Sequence, residues 1–94
     1  MFKIKELKRT CIACPTQYEG ILDNGHSIYI RYRWGKLSIR ISYGKSSNVN
    51  DAVKGHEVFT ATLGGSLDGV LDDDELLRVC SNVIEFPKEI KHVG

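Results

Sequence analysis

The stretch "IYIRYRWGKLSIRIS", residues 28–42, decides how this chain folds. Ile28, Ile30, Tyr32 and Trp34 fall on one parity and Tyr29, Arg31 and Arg33 on the other, the period of two that marks a half-buried strand. After Gly35 the alternation resumes, with Leu37, Ile39, Ile41 and Tyr43 on one face and Lys36, Ser38, Arg40 and Ser42 on its opposite. A Gly35-Lys36 turn with glycine first closes a hairpin that sets Trp34 opposite Leu37, Tyr32 opposite Ile39, Ile30 opposite Ile41 and Ile28 opposite Tyr43. Every pair on one face is then apolar, and register and burial agree. The same register sets Arg31 directly across from Arg40, with Arg33 diagonal to it.

Upstream, "QYEGILDNGHSIYI" carries a second hairpin signal. An Asn24-Gly25 loop would place Glu19 among the isoleucines. A loop of Asp23, Asn24 and Gly25, with Gly25 left-handed, instead aligns Tyr18, Gly20 and Leu22 with the apolar parity and Gln17, Glu19 and Ile21 with the arginine parity. The second choice yields a three-stranded meander over residues 16–43. The alternation of Phe2 and Ile4 makes the first segment a further strand, and "HEVFTATL" reads as another, bounded by Gly55 and Gly64-Gly65. Between them "GKSSNVNDAVKG" reads as a long loop with a short helical turn at "NDAVK". In "DDDELLRVCSNVI", Leu76, Leu77, Cys80, Val83 and Ile84 recur at helical spacing, with Asp72 and Glu75 placed to cap the start. Pro87 stops regular structure, and "KEIKHVG" is a polar tail or an edge strand.

The expected fold is a single domain over residues 1–94, mostly β or α+β. It is a small antiparallel meander of four to five strands with one C-terminal helix on its apolar face. With 94 residues, 41% of them hydrophobic, the chain can bury one modest core, and that marginal size favours a homo-oligomer. Thirteen Lys and Arg against twelve Asp and Glu give a net charge of +1, which argues against a nucleic-acid binder held by bulk charge. No apolar run approaches the length of a membrane span, and "MFKIKELKRT" lacks a secretion signal, so no membrane partner and a cytoplasmic location are expected.

The candidate site is the polar face. Arg31, Arg33 and Arg40 stand there with no acid between residues 28 and 42, and like charges facing one another on a sheet are destabilising unless something negative intervenes. Water and Glu19 beside Arg31 are one answer. An anion is the other, because guanidinium forks hold phosphate and carboxylate through two parallel hydrogen bonds. Tyr29 and Tyr18 would flank such an anion as stacking surfaces if they turn toward the polar side. The expected ligand-binding set is therefore Tyr18, Tyr29, Arg31, Arg33 and Arg40.

Other constellations weigh less. Cys11-Ile12-Ala13-Cys14 has the spacer of zinc knuckles and redox pairs, but no second pair with ligand spacing accompanies it. "GGSLDGVLDDDE" holds Gly69 and Glu75 at the sixth and twelfth positions of a calcium loop, yet Gly64 occupies the first ligand position. His56-Glu57 and the run Asp72-Asp73-Asp74 are acid-base groups without a nucleophile motif or phosphate loop beside them. The reading names no metal, cofactor or catalytic residue and leans away from an enzyme.

Together "CPTQYEG", "IYIRYRWG" and "LGGSLDG" resemble patterns shared by a group of short proteins of bacteria and their phages. That resemblance implies a small stand-alone β-rich protein of the kind phages use to sequester host factors, nucleotide signals of antiviral defence among them, in the host cytoplasm. It assigns no role to individual residues. The expected function is non-enzymatic binding of an anionic, nucleotide-like small molecule. The alternatives are a module that docks an acidic protein surface, a homo-oligomeric structural protein, and a small nucleotide-processing enzyme.

Overall fold

The alternation across residues 28–42 becomes two neighbouring strands in the computed structural model, which describes residues 2–11, 16–63 and 72–92. Five strands follow one another as an antiparallel meander: β1 (Phe2–Cys11), β2 (Thr16–Leu22), β3 (Ser27–Arg33), β4 (Lys36–Ile41) and β5 (His56–Thr62). Two short strands, β6 (Ile84–Glu85) and β7 (Lys91–His92), run parallel to β1 at Phe2-Lys3 and at Lys8-Arg9. The sheet order is β5-β4-β3-β2-β1-β6, with β7 also on β1. The fold is mostly β, as expected, but the sheet is larger than four to five strands and mixed. Segments as short as β6 and β7 carry no readable period, and only the free edge of β1 gives them a partner.

The hairpin between β2 and β3 has the expected register, with Tyr18 opposite Ile30 and Gly20 opposite Ile28, and Gly25 takes φ +91° in its loop. The hairpin between β3 and β4 does not. Tyr32 faces Leu37, Ile30 faces Ile39 and Ile28 faces Ile41, two residues away from the expected pairing, so the turn is Trp34-Gly35. Both turn residues have positive φ, +56° and +74°, as a type I′ turn requires. A slip of two leaves every side chain on its original face, which is why alternation could not separate the registers. Turn twist and the next pair along decide it. Ser27 and Ser42 close the far end through Ser42 N–H to the Ser27 carbonyl (3.1 Å) and Ser27 N–H to Ser42 Oγ (3.1 Å). As a result Trp34 leaves the apolar cluster and is 57% exposed, and Arg31 faces Ser38 while Arg40 faces Tyr29. The expected Arg31–Arg40 pair does not exist.

One face of the sheet is the core. Ile4 and Leu7 of β1, Tyr18 and Leu22 of β2, Ile28, Ile30 and Tyr32 of β3, and Leu37, Ile39 and Ile41 of β4 are buried together. The helix α2 (Asp73–Cys80) packs on this face through Leu76 and Cys80, and burial pushes the Cys80 thiol up to about 11. Asp72 is its N-cap but makes no side-chain capping bond. The next acid, Asp73, turns onto the sheet instead: it accepts hydrogen bonds from Tyr18 Oη (2.5 Å) and Arg9 (3.2 Å), and His92 Nε2 lies 2.6 Å from its other oxygen.

The opposite face carries the polar side chains, and the short helix α1 (Val49–Val53) covers one end of it. Ser27 Oγ donates to the Asn48 carbonyl (3.0 Å), Asn48 caps the helix by accepting from Asn50 N–H, and Ala52 is buried beneath. Among the described residues no helix is long and apolar enough to cross a membrane.

Candidate functional site

The polar side chains form cross-strand rows on this uncovered part of the face. One row runs Gln17, Arg31, Ser38, Thr60; its neighbour runs Glu19, Tyr29, Arg40, Glu57; a third holds Arg33, Lys36 and Thr62 at the turn end. Arg31, Arg33, Lys36 and Arg40 converge on a cleft of about 380 Å³ whose remaining lining is Trp34, Ser38 and Glu57. Four cations share it with one carboxylate. None of the four forms an ion pair among the described residues.

Each cation is held differently. Arg40 donates to the Gly55 carbonyl (3.0 Å), which fixes its guanidinium at the cleft wall. Arg33 lies over the Trp34 ring, 5.3 Å from its centroid, a cation–π contact at the rim. Arg31 Nε is shut off from solvent and has no hydrogen-bond partner among the described residues. A buried donor without an acceptor costs on the order of 1–3 kcal/mol.

Trp34 is a second sign. A bulky residue at φ +56° is a backbone outlier, costing on the order of 1–3 kcal/mol, and it is more than half exposed, so no core packing offsets the strain. Its indole lines the cleft and offers a flat apolar wall next to the guanidinium groups.

Of the expected site residues, Arg31, Arg33 and Arg40 come together as one surface. Tyr29 lies on the same face, half-buried between Glu19 and Arg40, but outside the cleft lining. Burial raises its phenol above the ordinary tyrosine value, Arg31 opposes the shift and Glu19 adds to it. Tyr18 does not join. It is fully buried on the apolar face, its hydroxyl is spent on Asp73, and Arg9 sits 5.7 Å from its ring, so it cannot stack on anything held by the arginines.

Trp34, Lys36, Ser38 and Glu57 complete the cleft, although none of them was in the expected ligand-binding set. Lys36 was legible as part of the basic stretch, whereas Glu57 is brought in by β4–β5 pairing with Arg40, which no local pattern announces. His56 stacks on Tyr43 with centroids 5.3 Å apart, away from the cleft lining. Cys14 and most of the calcium-loop stretch lie outside the described residues, and among those described no three His, Cys, Asp or Glu side chains cluster to hold a metal.

A second cavity, about 470 Å³, opens on the same face between β1, β2 and the Ser47–Val49 loop. Glu6 and Glu19 balance Lys8 and Lys91 in its lining, so it lacks the one-signed charge of the first. No family model, curated protein or solved structure matches the chain.

Proposed function

We propose that this protein is a non-catalytic binding module whose cleft of Arg31, Arg33, Lys36 and Arg40 holds the anionic group of a small ligand, of the nucleotide type. The observation that carries the reading is the convergence of four cations on one cleft with no ion pair of their own among the described residues. Arg31 presents its guanidinium to a phosphate oxygen from the cleft lining, and Arg40, held by Gly55, presents its fork without further ordering cost. Trp34 provides the stacking wall for a base, the part that Tyr18 cannot take. Glu57, the one acid, accepts from an amino or hydroxyl group of the same ligand and so favours a nucleotide over bare phosphate. The likeness to short bacterial and phage proteins gives such binding a use, the sequestration of a host nucleotide signal.

Docking of the basic face on the acidic run of a second copy is less well supported. Asp73, at its centre, already serves Tyr18, Arg9 and His92.

The test is recovery of ligand. Protein purified from cells is denatured and the released small molecules are resolved by liquid chromatography and mass spectrometry, with Arg31→Ala as the control. A phosphorylated compound released unchanged from the wild type and depleted from the variant is the expected result. Absence of any released anion, together with no calorimetric binding of nucleoside mono-, di- and cyclic phosphates, would rule the reading out.

A further inference from the structure

β5 ends the sheet, and among the described residues its outer edge pairs with no strand. Which of its amides point outward follows from the ladder. Leu63 N–H donates to the Gly35 carbonyl (2.8 Å), in register with Ala61 opposite Leu37 and Phe59 opposite Ile39. Antiparallel ladders alternate, so Phe59, Ala61 and Leu63 bond inward to β4, while Thr60 and Thr62 direct both N–H and C=O away from the sheet. Their neighbour Val58 is the extra residue of a bulge, since Arg40 and Ile39 pair with Glu57 and Phe59.

Natural edge strands are blunted by lysine, proline or inward charge. From Val58 to Leu63, "VFTATL" has none of these; the polar residues His56 and Glu57 lie before the bulge. The outward groups of Thr60 and Thr62 also match themselves. Two copies related by a two-fold axis at Ala61 set Thr60 opposite Thr62 of the second copy, twice, and each such pair exchanges two hydrogen bonds. Ala61 then meets Ala61 at the close, non-bonded position, where a small side chain fits. Phe59 meets Leu63 of the second copy on the apolar side, and both are half-buried against their own core. Threonine meets threonine on the polar side, a favourable cross-strand pair. Moving the axis to Thr60 would set the bulged Val58 against Thr62 and break the ladder.

We propose that this protein forms a two-fold dimer by antiparallel pairing of β5 with β5 of a second copy, centred on Ala61. The dimer is independent of the ligand reading, yet it has a consequence for it: the two basic clefts lie on one face of a continuous sheet. Their mutual repulsion opposes pairing, so salt, which screens it, strengthens this dimer or leaves it unchanged. A dimer held by arginine and carboxylate contacts would weaken.

Sedimentation velocity of the wild type over a range of salt, and oxidative cross-linking of Ala61→Cys in a Cys11→Ser, Cys14→Ser background, test it together. The close, non-bonded pair of an antiparallel ladder has the Cα separation a disulfide accepts. The expected results are a dimer that persists at high salt, a cross-link at position 61 and not in a Thr60→Cys control, and a monomer when Thr60→Glu and Thr62→Glu place four carboxylates along the seam. Thr60 and Thr62 are exposed, so the double variant keeps its fold, checked by circular dichroism. A wild type that sediments as a monomer at sub-millimolar concentration overturns the proposal. So does a dimer that dissociates with salt or cross-links equally well at position 60.

Discussion

Replacing Asp73 by alanine should strongly destabilise the protein without unfolding it, although the residue sits outside the cleft. Its carboxylate joins three elements: Tyr18 of β2 and Arg9 of β1 donate to one oxygen, and His92 of β7 lies against the other. Tyr18 is fully buried and the Arg9 side chain only 10% exposed, so water cannot replace the lost acceptor at either. Breaking a buried ion pair by removing one partner costs roughly 3–5 kcal/mol, and a buried hydroxyl deprived of its acceptor costs about 1–3 kcal/mol. These losses overlap in one network, and Arg9 keeps another interaction, so the lower part of the range applies, about 3 kcal/mol. His92, with its side chain 63% exposed, adds less than about 1 kcal/mol. For 94 residues the whole stability is about 5–14 kcal/mol, so the variant should retain a fold at 25 °C with a sharply lowered urea midpoint. Arg9→Met combined with Asp73→Ala should recover part of the loss, because it removes the stranded charge along with its partner. A single variant within about 1 kcal/mol of wild type, or a double variant whose losses simply add, would refute the reasoning.

The same network sets the pH limits. Burial alone would raise the Asp73 carboxyl, but hydrogen bonds from Tyr18 and His92 and the charges of His92 and Arg9 outweigh it and hold it below the ordinary value. Its stabilisation is thus present above the unfolded carboxyl pKa and lost as pH falls through the lower folded one. Burial first, then Asp73, raises the Tyr18 phenol, so that contribution holds below about pH 10 and is lost as pH climbs further; Tyr18→Phe should remove this alkaline limb from a plot of melting temperature against pH. Arg31→Ala should weaken nucleotide binding about ten- to hundredfold, the value of one charged hydrogen bond, while leaving the urea midpoint unchanged or raised, since the buried unpaired Nε goes with the side chain; equal affinities by calorimetry would remove Arg31 from the site. Trp34→Asn puts a residue suited to positive φ ahead of Gly35 and should stabilise the fold by about 0.5–1 kcal/mol while lowering affinity for a nucleotide but not for inorganic phosphate. Unchanged stability would mean that the turn stores no strain.

Much of this architecture is readable from the chain because a strand's side chains alternate and a sheet with one buried face must obey that alternation. The faces of β2, β3 and β4 follow from it, as does the loop around Gly25, because a shorter one would have buried Glu19. The co-location of Arg31, Arg33 and Arg40 was legible for the same reason: side chains of one parity on paired strands share a face whatever the register. Tyr18 was legible too, and its parity already set it with the isoleucines, on the side away from the arginines.

Alternation along the chain thus settles which side of the sheet each residue of the meander occupies, since that depends only on neighbours in sequence. The tertiary structure alone decided the rest. A slip of two residues preserves every face, so the choice that exposes Trp34 and separates Arg31 from Arg40 fell to the twist of the turn and to the pairing of Ser27 with Ser42. Asp73 lies 64 residues from Arg9 and 55 from Tyr18, and no local period relates them. Their meeting depends on how α2 lands on the finished sheet, a matter of packing between surfaces that exist only once the strands have paired.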